Sequence, residues 1–172
     1  MNEYMVKKWL SLLGLLLGLQ AFAANTINPD KVYDSSIKTI RVHPMGNALA
    51  IPVISLSQMN PLEISFDDLK AKYQNYFYSV ELMNADWHSA NLSVFDYLQG
   101  FNQNRITQYS ISSIAIQPYY HYKFTFPNTN CRPTKSGNYI IKVYKDSNPQ
   151  KVVFTSRFFV VDDQVSILSS IQ

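Results

Sequence analysis

The 172 residues, 47% hydrophobic and 14% aromatic, suffice for one domain with a substantial core and are too few for two, and this composition excludes a disordered chain. Fifteen basic and twelve acidic residues give a net charge of +3, and beyond Lys7-Lys8 the basic ones are scattered singly, which excludes a nucleic-acid or membrane-surface patch. With Cys131 as the single cysteine there is no internal disulfide, so packing alone must hold the core.

In chain order, Lys7 and Lys8 precede an apolar run, Trp9 to Leu19, that ends in Ala21-Phe22-Ala23-Ala24. This is the pattern of a secretory signal peptide over 1–23, cut after Ala23. The run is shorter than the roughly 20 apolar residues that span a bilayer, and Gln20 interrupts it, which disfavours a membrane anchor. No cysteine follows it, so lipoprotein processing is excluded and the mature chain is expected to be exported and soluble, without a transmembrane segment. Losing Glu3, Lys7 and Lys8 leaves 13 basic and 11 acidic residues, a net of +2.

Residues 24–31 are polar and contain Pro29, which predicts a flexible lead-in before a domain over 32–172. Ile37 to His43 is a first strand ending at the turn Pro44-Met45-Gly46-Asn47. Leu49 to Leu56 contains Pro52, which removes a ladder donor, so it is an edge strand at best. Leu62 to Asp67 alternates, with Leu62, Ile64 and Phe66 on one face. Asp68 to Tyr73 has the makings of a helical turn. Tyr76, Tyr78, Val80 and Leu82 then face inward on the next strand.

That strand delivers the chain to the stretch Leu82 to Phe101. Asn84, Asp86, Ser89 and Asn91 bond local backbone and favour an ordered loop around Trp87, and Gly100 can supply a positive φ at a bend. Ile106 to Ile116 has strand propensity without a clear buried face. Tyr120, Tyr122, Phe124 and Phe126 form an aromatic face. Tyr139 to Lys145 and Val152 to Val161 form a hairpin across Asp146-Ser147-Asn148-Pro149, and Val165 to Ile171 is a candidate last strand. Seven to nine short strands without helical periodicity predict an all-β fold, an antiparallel immunoglobulin-like β-sandwich, with a barrel as the alternative.

Chemistry is sparse. His43, His88 and His121 lie far apart, which argues against a metal site. Asp67-Asp68 and Asp162-Asp163 stand at strand ends, where adjacent residues point oppositely, and read as solvated carboxylates. Pro127 to Pro133 reads as a loop that places Cys131 either as an exposed thiol or as an incidental residue. No G-x-S-x-G elbow, phosphate loop or CxxC occurs, so no catalytic, metal or cofactor-binding residue, no cofactor and no small-molecule substrate is expected. Aromatics are the abundant functional groups: Trp87 with Tyr97, Tyr119 or Tyr120 is either a contact platform or core and loop support.

With these segments in place the chain resembles the N-terminal domain of the type IX secretion system plug protein family of Bacteroidota. The resemblance runs from Val32 onward. It is carried by Tyr33-Asp34, Phe66-Asp67-Asp68-Leu69, Asn84-Ala85-Asp86-Trp87 with Ser89 and Leu92, Asp96-Tyr97-Leu98, and Gly100-Phe101. It continues through His121-Tyr122, Phe126-Pro127-Asn128, Ser136-Gly137-Asn138-Tyr139 and Arg157-Phe158. Met83 stands where many relatives have cysteine, and relatives carry a second β-rich region after this one. The resemblance implies a non-enzymatic periplasmic subunit at the outer membrane that docks on the large translocon barrel and plugs its periplasmic end. The expected contact loop is Asn84, Asp86, Trp87, Asp96, Tyr97 and Phe101. The alternatives are a secreted carbohydrate-binding sandwich that stacks sugars on its aromatics, and an adhesin that exchanges strands through the Leu49 to Leu56 edge.

Overall fold

A computed structural model describes residues 28–112 and 116–163, and within them every regular element is a β-strand apart from one 3-10 turn, Val94–Asp96. The strands are β1 (Lys31–Val32), β2 (Ile37–Pro44), β3 (Val53–Ser55), β4 (Leu62–Asp68), β5 (Tyr76–Met83) and β6 (Leu98–Gly100). They continue with β7 (Asn104–Arg105), β8 (Gln108–Ile111), β9 (Tyr120–Phe126), β10 (Cys131–Pro133), β11 (Gly137–Lys145) and β12 (Val152–Val161). One sheet runs β1-β12-β11-β5-β7 and a second β2-β4-β9-β8, while β6 and β10 pair separately. Both sheets have free ends, so the barrel alternative is excluded. The pairing is antiparallel except for β3, which runs parallel to the second half of β12. The expected signal peptide and the last strand over Val165 to Ile171 fall outside the described residues.

Period-two aromatic patterns make the core. Every second residue of β4 and β5, and of β9 from Tyr122 onward, is buried, and rings from the two sheets meet between them. Phe66 packs edge-on against Tyr76 at 5.1 Å and against Phe154 at 5.1 Å, Tyr78 stacks on Phe124 at 4.3 Å, and Phe126 meets Phe158 at 5.4 Å. Each such pair adds about 1 kcal/mol beyond the area it buries.

Three expectations change. The part of the lead-in that is described is fastened: Thr155 Oγ1 donates to the Asn28 carbonyl at 2.6 Å, and Asp30 accepts the Arg157 amide at 2.8 Å. Asp68 is not a solvated strand end: it is fully buried, accepting from the Tyr76 hydroxyl at 2.8 Å and the Lys70 amide at 3.0 Å. Burial, then the Asp68 carboxylate, push the Tyr76 pKa far upward. Residues 69–75 form a turn and irregular chain, not a helical turn, with Ala71 at φ +52°.

Asp34 ties three segments together. Its carboxylate accepts from Ser36 N and Oγ, from Lys70 Nζ at 2.8 Å and from Lys145 Nζ at 2.5 Å. Burial alone would raise its pKa, but Lys145, Lys70 and Ser36 together hold it well below the ordinary value of 3.8. A depressed folded-state pKa gives stability that is present above the ordinary value and lost as pH falls through the folded one. Asp34→Asn is therefore expected to cost about 2 kcal/mol in urea unfolding at pH 7. The gap to the parent chain should narrow as the buffer is taken from pH 5 toward pH 2.

Tyr139, at the start of β11, donates its hydroxyl hydrogen to the Lys135 carbonyl at 2.8 Å, which pins the crossover from β10. Its ring stacks on Phe158 at 5.2 Å.

Candidate functional site

The loop after β5 is built on Asn84. Its Oδ1 accepts the amides of Asp86 at 3.0 Å and His88 at 2.9 Å, while its carbonyl accepts the Trp87 amide at 3.2 Å. An aspartate or asparagine is needed here because only a short acceptor reaches two amides of its own turn. The turn leaves Trp87 at φ +61°, the left-handed region that a bulky residue occupies only where its surroundings hold it. Two contacts hold it. The indole meets Phe159 edge-on at 5.8 Å, and the Arg157 guanidinium lies 5.1 Å above it. Arg157 is itself ion-paired to Asp30.

The second half of the loop is equally fixed. Asp96 Oδ2 accepts the Ser93 amide at 3.1 Å, and the Asp96 amide donates back to the Ser93 carbonyl at 2.9 Å, closing the 3-10 turn. Val94 packs on the core and Tyr97 and Leu98 are buried, so Phe95 is turned outward and is 87% exposed. Burial pushes the Tyr97 hydroxyl up to about 12. β6 then pairs with β10, Gly100 opposite Cys131. Gly100 sits at φ +101°, with the Asn130 carbonyl so close that a Cβ would lie 2.0 Å from its oxygen. That oxygen accepts the Phe101 amide at 2.8 Å, leaving the Phe101 ring 76% exposed.

The expected contact residues thus divide. Asn84 and Asp96 are exposed, but their carbonyl and carboxylate oxygens are used inside the loop; Asp86 faces solvent. Trp87 is half-buried and supports the loop against β12. Tyr97 is 3% exposed, T-shaped against Tyr139 at 6.1 Å, and is corrected from contact residue to core support. Phe101 remains available. The residue that sequence reasoning missed is Phe95. The sequence carries no signal for it, because only the fold shows Val94, Tyr97 and Leu98 turned to one side of the Ser93-Asp96 closure and Phe95 left on the other.

A groove of about 760 Å³ runs beside this loop, on the face of β5 and β11 that points away from the core. Its floor carries the Glu81–Lys142 ion pair, and Tyr33, Leu92, Val94 and Val152 stand along it. Ser79, Asn102, Gln103 and Gln150 also line it, so the groove is mixed in character rather than apolar.

The platform of Trp87 with Tyr119 and Tyr120 does not form. Trp87 follows the end of β5, whereas Tyr120 pairs with Asp68 near the beginning of β5, where Tyr76 meets Tyr122. Cys131 is not an exposed loop thiol. It lies buried in β10, and burial pushes its pKa up to about 11, the reverse of a reactive thiol. Among the described residues no three His, Cys, Asp or Glu side chains gather.

Residues 37–162 match the family described as Type 9 secretion system plug protein 1st domain. The crystal structure of a hypothetical protein from Parabacteroides merdae ATCC 43184 is 34% identical, with a TM-score of 0.74 over 77% of this chain and 34% of that one. This chain therefore spans about a third of the length of that solved structure. The DNA-bound alkylpurine DNA glycosylase AlkC of Pseudomonas fluorescens aligns at 13% identity over 73% of this chain and 30% of that one. Its TM-score of 0.40 is too low to bear on fold or function. No curated protein matches the chain.

Proposed function

The chain belongs to the type IX secretion system plug protein family, and from that premise we propose that it docks on the large outer-membrane translocon barrel and plugs its periplasmic end. The observation that carries this reading beyond the family is the loop 84–101, which holds aromatic side chains outward on a frame already fixed in the free chain. Sealing a pore needs shape complementarity and a preformed surface, since ordering a loop on contact would consume binding energy. No turnover is involved, so the protein is read as non-enzymatic. It is read as exported by its signal peptide and as periplasmic, held at the outer membrane by its partner.

We read the frame as an immunoglobulin-like sandwich. The order β2-β4-β9-β8 follows the A-B-E-D sheet of that fold and β12-β11-β5 its G-F-C sheet, with the Tyr139 hydroxyl bond in the position of a tyrosine corner.

The test is permeability. Cells that lack the protein but keep the barrel should admit large hydrophilic dyes and antibiotics, and the full gene should restore exclusion. Unchanged exclusion in the deletion strain would refute plugging.

A further inference from the structure

We infer that the lead-in belongs to the contact site: Asp30, acting through Arg157, sets the position of Trp87 and so of the first half of the loop 84–101. The inference rests on the plug reading and deepens it, adding two positioning residues from outside the loop. Asp30 stands before residues 37–162, the segment that the family description covers. Its role is read from the neighbours of β12. One edge of that strand pairs with β1 at Phe154 and Thr155 and with β3 from Phe159 to Val161, so Arg157 falls between the two with no strand beside it on that side. Asp30 fills the gap.

Both carboxylate oxygens are engaged. Oδ1 accepts the Arg157 amide at 2.8 Å, in the place of a neighbouring strand's carbonyl, as the Pro52 carbonyl accepts the Phe159 amide at 2.9 Å. Oδ2 accepts from Arg157 Nε. An exposed ion pair usually contributes little, because two long side chains must give up their freedom to form it. Here the acidic partner is short and its backbone is tied on both flanks. The Asn28 carbonyl accepts the Thr155 hydroxyl at 2.6 Å, and the Lys31 amide donates to the same Thr155 Oγ1 at 3.2 Å.

Side chains alternate along a strand, so Thr155, Arg157 and Phe159 share one face of β12. Thr155 holds the lead-in, Phe159 meets the Trp87 indole edge-on at 5.8 Å, and Arg157 between them joins the two, its guanidinium 5.1 Å over the ring. Trp87 depends on such support, because at φ +61° a bulky residue keeps its place only where its surroundings fix it. Freed from Asp30, the Arg157 side chain would regain its rotamers and lie over the indole for less of the time. The ring and the turn built on Asn84 would then be less well ordered, and a loop that must be ordered on contact docks more weakly.

The test makes Asp30→Asn, Arg157→Gln and the two together in a tagged full chain that carries Trp9→Phe, so that Trp87 is the sole indole. Asparagine keeps an oxygen for the Arg157 amide and loses the one that holds Nε, so the edge of β12 stays capped while the guanidinium is freed. On the purified chain, acrylamide quenching of Trp87 fluorescence should rise about two-fold with either change and no further with both, since both remove one shared contact. Recovery of the barrel from cells should fall about five-fold in all three, at a melting temperature within about 4 °C of the parent. Quenching unchanged by Asp30→Asn, or single effects that add in the double variant, overturns the coupling of Asp30 to Trp87. Quenching that rises while recovery of the barrel stays at the parent level overturns the role in docking and leaves the plug reading standing. No barrel even with the parent chain removes the plug reading, and the docking role of Asp30 with it, whatever the quenching shows.

Discussion

Gly100→Ala is expected to be the most destabilising single-methyl change in the domain. The added Cβ would sit 2.0 Å from the Asn130 carbonyl oxygen, a backbone atom that cannot turn aside, at a φ of +101° that alanine resists. Backbone strain of ~1–3 kcal/mol and overpacking of similar size together give about 4 kcal/mol, a large share of the ~5–15 kcal/mol that holds a domain. The melting temperature should fall by roughly 10–15 °C. The damage is local in origin, because relief requires β6 to part from β10, and the Phe101 amide bond to Asn130 goes with it. A melting temperature within about 3 °C of the parent would show that this pairing does not anchor the loop.

The second large effect is on binding. Phe95→Asp is expected to weaken docking on the barrel about 30-fold or more, the loss of about 2 kcal/mol typical of an aromatic anchor, with an unchanged melting temperature. The side chain is 87% exposed and the turn beneath it is closed by Ser93 and Asp96, so the fold has nothing to lose. Trp87→Ala is the contrasting case. It removes the ring between Phe159 and Arg157, so it should lower stability as well as docking. If Phe95→Asp leaves docking intact and Trp87→Ala abolishes it on a folded chain, the contact surface lies on the Trp87 side of the loop.

The strands whose alternation is strong were legible from the sequence. Leu62 to Asp67, Tyr76 to Leu82, Tyr120 to Phe126 and the β11–β12 hairpin are each long enough for period-two burial to show. The pieces missed are those fixed by distant partners. β6 and β10 are three residues each and meet across some thirty positions of chain, so no local pattern marks them, and the sequence around Cys131 reads as a loop for that reason. Asp68 looks like a strand-end carboxylate until Tyr76 is folded over it. Within the site, the ordered loop and the Gly100 bend were readable from Asn84, Asp86, Ser89 and Gly100. Which aromatics faced outward was not, because Tyr97 and Phe95 differ only in which side of the 3-10 turn they occupy.

The most direct test of the central claim is isolation of the tagged chain from its own cell envelope under mild detergent, with the copurifying proteins weighed and identified. A very large outer-membrane barrel is expected in near-equal amount, lost when Phe95 is changed to Asp. A folded chain recovered without the barrel, or a barrel retained equally by the Phe95→Asp chain, would contradict it.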